Sequence, residues 1–106
     1  MKYNDIHNYE NFMSMQTRNE HRFIHTSLYC QKLAFDVLQA TINNKDLYIE
    51  NLIQRNKKLA SEAALRSFIH QALKTNYFIK KANPIDKRKT MLTAGDALYD
   101  AFNIDK

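Results

Sequence analysis

Residues 61–74 read SEAALRSFIHQALK, and the periodicity of this stretch decides how the rest of the chain is read. Leu65, Phe68, Ile69, Ala72 and Leu73 recur at spacings of three, one and three and one, which predicts an amphipathic helix docked on a core. The other side carries Ala63, Arg66, Ser67, His70, Gln71 and Lys74, a face of small, hydrogen-bonding and cationic side chains. Ser61 is placed to cap the first turn, and Glu62 stands just inside it, where a negative charge suits the helix dipole. Asn76 follows the last turn, and asparagine substitutes for glycine where a chain leaves a helix in the left-handed conformation.

The residues that follow change character. Tyr77, Phe78 and Ile79 are strand formers, and residues 80–84 (KKANP) interrupt them. Asp86, Lys87, Arg88 and Lys89 make a charged tip, after which Thr90, Met91 and Leu92 return as a strand. The expectation is a β-hairpin with a basic end beside a polar-faced helix, the working arrangement of a winged helix-turn-helix.

On these residues the segment 45–102 resembles the winged helix-turn-helix of the MarR-type transcriptional regulators. SEAAL (61–65) is similar to the opening of that family's recognition helix, and Asn76-Tyr77-Phe78 to its exit into the wing. Asp86-Lys87-Arg88 resembles the family's Asp-x-Arg wing tip, and Leu92-Thr93-Ala94-Gly95 its Leu-Thr-x-x-Gly joint between strand and helix. The resemblance implies a DNA-binding transcriptional regulator.

Composition sets the bounds. A chain of 106 residues predicts one domain, spanning 1–106. One glycine and one proline favour long helices over a many-stranded sheet, so the fold class expected is mostly α (α+β) with a short β-hairpin wing and an N-terminal helical extension. A single cysteine excludes an internal disulfide and a cysteine-based zinc site, and fits a reducing, cytoplasmic setting. The first twelve residues, MKYNDIHNYENF, lack the apolar run of a signal peptide, and no run approaches a membrane span.

Charge is unevenly placed. Residues 1–44 balance at zero, whereas residues 45–90 hold eleven Lys or Arg against four Asp or Glu, a net of +7. Residues 91–106 have one Lys against three Asp. The excess positive charge therefore lies in the segment read as helix-turn-helix and wing, as phosphate neutralisation with counterion release would require. A solvated lysine-rich surface is the plainer reading of such charge taken alone.

Residues 18–44 are expected to form one long helix with two apolar stripes, one of Ile24, Leu28, Phe35, Leu38 and Ile42, the other of Leu33, Val37 and Ala40. An arc that wide predicts burial on two sides, the second against another copy of the chain, so residues 1–44 are read as the homodimerisation segment. A short helix at 1–17, using Ile6, Tyr9, Phe12 and Met13, precedes it. Leu47-Tyr48-Ile49 is expected to pair with the wing, and residues 50–55 to form a short helix that buries Leu52 and Ile53. Thr93 is expected to cap a last helix from 94 to 102.

The residues expected to meet double-stranded DNA are Lys57, Lys58, Ser61, Ala63, Arg66, Ser67, His70, Gln71, Lys74, Lys87, Arg88 and Lys89. Lys57, Lys58 and the wing would anchor phosphates, and the face of residues 61–74 would read bases. Arg66 has the reach for a bidentate contact to guanine, and Arg88 suits a narrow minor groove; each is equally well spaced as a plain surface arginine. His21 and His25 stand four apart, a weak two-histidine metal pattern without a third ligand, so no metal and no cofactor are expected. No phosphate loop, His-Glu-x-x-His or nucleophile elbow is present, and no enzyme is expected. The function expected is a repressor-like DNA-binding regulator with no membrane partner. The alternative is a protein-interaction module on the same scaffold, docking through Tyr9, Phe12 and Phe23.

Overall fold

A computed structural model describes residues 23–86 and 89–105. It contains α1 (Leu28–Ile42), α2 (Ile49–Asn56), α3 (Glu62–Lys74), β1 (Phe78–Ala82), β2 (Thr90–Ala94) and α4 (Asp96–Ala101). This is the mixed winged-helix architecture expected from the sequence. The expected helix at 1–17 and the wing-tip residues Lys87 and Arg88 lie outside the described residues.

The stretch at 61–74 behaves as its periodicity requires. Ser61 is extended (φ −65°, ψ 156°), and its Oγ accepts from the Ala64 amide at 3.2 Å. Leu65, Phe68, Ile69 and Ala72 are buried, with Leu73 half-buried at the edge. Asn76 is left-handed (φ 65°), and the Tyr77 and Asn76 amides return to the Ala72 and Leu73 carbonyls at 2.9 and 3.3 Å. That is a Schellman stop. The same pair of bonds closes α1 at Asn44 (φ 59°) and α4 at Asn103 (φ 55°).

The first described helix is shorter than the sequence suggests. Phe23, Ile24 and His25 form a turn, and α1 begins after the extended Ser27. Three consecutive residues span about 200° of a helix, so they cannot all face one core while helical. Here they do face the core: Ile24 is fully buried, and the Phe23 ring stacks on Phe68 at 4.7 Å. His25 is buried as well, with Nε2 donating to the Ala101 carbonyl and Nδ1 accepting from the Gln31 amide, both at 3.2 Å. Of the two-histidine metal pattern, His25 stands in this turn with both ring nitrogens hydrogen-bonded, and His21 lies outside the described residues.

Within α1 the buried side is Cys30, Leu33, Ala34, Val37 and Leu38. Leu28, Phe35 and Ile42, expected in a buried stripe, are 72, 42 and 53% exposed. They stand seven apart and make an apolar row that this chain does not cover among its described residues. The core proper joins Leu33 and Val37 to Leu52, Ile53, Leu65, Phe78 and Leu98, all fully buried. Each such side chain contributes about 1.5–3 kcal/mol relative to exposure.

A buried polar knot ties α1 to α2. The Asp36 carboxylate accepts from Lys32 Nζ at 2.7 and 2.8 Å and from Asn56 Nδ2 at 3.1 Å. Asn56 Nδ2 also donates to the Leu52 carbonyl at 2.8 Å.

The hairpin is antiparallel, with Phe78 opposite Ala94 and Ala82 opposite Thr90. β1 runs three residues past Ile79, through Lys80 and Lys81 to Ala82, and Asn83-Pro84 ends it instead. Leu47 and Tyr48 add the expected short pairing: Tyr48 bridges Met91, and the Leu92 amide donates to the Leu47 carbonyl at 2.8 Å. Ile49 already belongs to α2. The last helix is capped by Gly95 rather than Thr93, which stays in β2.

Gly95 has an ordinary φ of −82°, so conformational freedom does not require glycine there. Space does: a Cβ would lie 2.2 Å from the Asn76 carbonyl oxygen.

Candidate nucleic-acid interface

With about 100° between successive residues, burial of Leu65, Phe68 and Ala72 sends Ala63, Ser67, His70 and Lys74 to the opposite side of α3. All four are exposed, as is Gln71 on one flank. This is the face expected to read bases. Ser61 differs from its neighbours, since its hydroxyl already serves as the cap of α3.

The wing stands beside this face. His70, Leu73 and Lys74 share a groove of about 460 Å³ with Phe78, Ile79 and Lys80 of β1. A hollow of about 170 Å³ brings Arg66, His70 and Lys80 together over Ile49 and Ile69. A third, of about 410 Å³, lies between α2 and the hairpin and is lined by Tyr48, Glu50, Arg66, Lys89 and Thr90. His70 and Lys74 thus border the same groove as Lys80 of β1, and Arg66 the same hollow as Lys89, just before β2.

Tyr48 contacts the hairpin on both sides of its tip. Its hydroxyl accepts from Asn83 Nδ2 at 2.8 Å, and Lys89 Nζ lies 5.7 Å above its ring, a cation–π contact. The Asn83 side-chain oxygen in turn accepts from the Ile85 and Asp86 amides at 2.8 and 3.1 Å, which folds the turn after β1.

Electrostatics divides the surface in two. Arg66 donates from Nη1 and Nη2 to both oxygens of Glu50, at 3.1 and 2.9 Å, and from Nε to Glu62 at 3.0 Å. The hydrogen bond from Arg66 holds the Glu50 carboxyl below the usual glutamate range, and the bond to Glu50 raises the Arg66 guanidinium above the usual arginine value. Lys57 lies 4.0 Å from Glu62. Two cations and two carboxylates therefore sum to zero at the start of α3. Among the described residues Lys58, Lys74, Lys80 and Lys81 enter no ion pair. Lys45, Arg55 and Lys89 enter none either, so positive charge without an ion-pair partner lies before and at the end of α2, on the turn before α3, at the far end of α3 and along the hairpin.

Of the residues expected to meet DNA, the structure gathers Ala63, Ser67, His70, Gln71 and Lys74 on one face, with Lys89 across the α2–wing hollow. Lys57 and Arg66 are in place but engaged with carboxylates. Lys80, Tyr48, Glu50 and Asn83 were not among the expected site residues. Glu62 and Arg66 stand at the i, i+4 spacing of a helix pair, which is legible in sequence. Glu50 lies sixteen residues from Arg66, and no periodicity connects them.

No protein-family model matches the sequence, and no curated protein matches it. A solved structure does: the transcriptional regulator Tm0710 from Thermotoga maritima superposes with a TM-score of 0.56 at 12% identity, over 92% of this chain and 67% of that one. At that identity the likeness is one of fold. The winged helix-turn-helix fold expected of residues 45–102 is the fold of this chain. No helix among the described residues is long and apolar enough to cross a membrane.

Proposed function

We propose that the chain is a sequence-specific regulator of transcription that binds double-stranded DNA, with α3 as its recognition helix and the hairpin as its wing. The observation that carries this reading is the groove in which His70 and Lys74, from the exposed Ala63–Ser67–His70–Lys74 face, stand beside Lys80 of the wing. A helix of this width fits a major groove, and lysines on the strands beside it reach the flanking phosphates. Lys58, Lys74 and Lys80 would set register on the backbone, while Ser67, His70 and Gln71 would meet base edges. Lys87 and Arg88 extend the basic tip in sequence and take the same role in this proposal. The fold shared with a transcriptional regulator supports the reading.

The chain would act as a homodimer, with the Leu28, Phe35 and Ile42 row of α1 at its seam. Two copies present two recognition helices to half-sites one helical turn apart. Occupying an operator is then sufficient for repression. Phe23, one of the three residues of the alternative protein-docking surface, is packed on Phe68 and Tyr77, which leaves that surface without its described member.

The test is selection from random duplex DNA, followed by a salt titration on the selected site. The proposal expects log–log dependence with a slope of several units, reduced by about 0.9 when Lys80 becomes Ala. A slope near zero, or one untouched by Lys74→Ala and Lys80→Ala together, would refute it.

A further inference from the structure

We infer that Glu50 and Glu62 are specificity-determining residues, which act by holding Arg66 back from DNA that cannot replace them. The inference rests on the reading of this face as a DNA interface. All three guanidinium nitrogens of Arg66 donate to carboxylate oxygens, two of them as a fork onto Glu50 of the neighbouring helix. An isolated surface ion pair contributes little, but a bidentate arginine held by two carboxylates is the networked geometry that does matter.

Arg66 therefore does not meet an arriving duplex as a spare cation. To turn its forked edge to a phosphate or a base it must leave Glu50, and two carboxylates then face a polyanion. Random DNA offers nothing for those carboxylates. A G·C pair does, because guanine O6 and N7 accept the arginine fork while the cytosine N4 amino group donates to a carboxylate. The clamp thus discounts non-specific contact and leaves the right base pair its full value.

The experiment uses the full chain in four forms: unaltered, E50Q/E62Q, R66A, and R66A with both glutamine changes. Each is titrated with salt against a random duplex and against the selected site. Freed from its clamp, Arg66 should add one phosphate contact, so E50Q/E62Q binds random duplex with a slope steeper by about 0.9. Its preference for the selected site should fall roughly tenfold. In the R66A background the two glutamine changes should leave the slope unchanged.

Equal tightening in both backgrounds would mean that the carboxylates act by repulsion alone, and would overturn the inference while leaving the DNA reading intact. So would an E50Q/E62Q protein no tighter on random duplex than the unaltered chain. If E50Q/E62Q does not fold, as judged by circular dichroism, E50Q alone removes the forked half of the clamp and carries the same expectation. A chain that binds no duplex at all overturns both readings.

Discussion

Replacing Gly95 with alanine should cost about 2–4 kcal/mol, although glycine here adopts a backbone angle open to any residue. The new Cβ would stand 2.2 Å from the Asn76 carbonyl oxygen and 3.3 Å from its carbon, and real contacts essentially never fall below 3.0 Å. At least 0.8 Å of separation (3.0 less 2.2) is needed. The third neighbour, the Ile79 Cδ1 at 3.5 Å, is tolerable and belongs to an exposed side chain. The carbonyl is not free to give, because Asn76 is fixed by its left-handed angle and by the Schellman bonds that end α3. The strain falls on the 2.9 Å bond from the Gly95 amide to the Tyr77 carbonyl, which the same 0.8 Å would open beyond hydrogen-bond range. Losing that bond costs about 1 kcal/mol, and overpacking adds about 1–3 kcal/mol. Thermal unfolding by circular dichroism should show a midpoint lowered by about 8–32 °C, at about 4–8 °C per kcal/mol for a domain of this size. A change within about 0.5 kcal/mol, the range of an ordinary surface substitution, would refute the steric argument.

Three further outcomes follow from the described contacts. Asp36→Ala strips a partner from Lys32 and from Asn56, and should cost about 1–3 kcal/mol in urea denaturation; its effect and that of Asn56→Ala should fall short of additivity by more than about 0.5 kcal/mol. Asn76→Ala must hold a left-handed angle and should destabilise by about 1–2 kcal/mol, whereas Asn76→Gly should be neutral or stabilising by the same assay. The Arg66–Glu50 fork should respond to acid in one direction only. Because the Glu50 carboxyl is held below its ordinary value, the fork is fully formed above the ordinary glutamate range of about 4.3 and is lost as pH falls through the lowered one. The Arg66 Nη resonances in nitrogen-15 NMR, which report the fork onto Glu50, should hold their chemical shifts at neutral pH and move only below that range, and a shift change near neutrality would contradict the contact.

What could be read in advance depended on how local each signal is. The cap at Ser61, the stop at Asn76, the buried Leu65–Phe68–Ala72 stripe and the returning strand at Thr90 each need only neighbours within a few residues, and all are present. The start of α1 is not legible locally, because Phe23, Ile24 and His25 continue a helical spacing, yet are drawn inward together by Phe68, Ala101 and Phe102, far along the chain. The surface row at Leu28, Phe35 and Ile42 was legible as apolar, but which side of the helix the domain would claim was not. At the candidate interface the helix face and the basic wing were visible in the spacing. The neutralising role of Glu50 was hidden, since it depends on the angle between α2 and α3 rather than on either helix alone.

Tyr48 gives the hairpin a fixed mounting. It lies immediately before α2, bridges Met91 through its backbone, receives Asn83 on its hydroxyl and carries Lys89 over its ring. Through α2, which the Arg66–Glu50 fork joins to α3, these contacts give the unbound protein a defined spacing between the outward side of α3 and the wing. A duplex bound there as proposed would meet that spacing first, so sequences whose groove reaches it cheaply would be favoured even at positions no side chain touches.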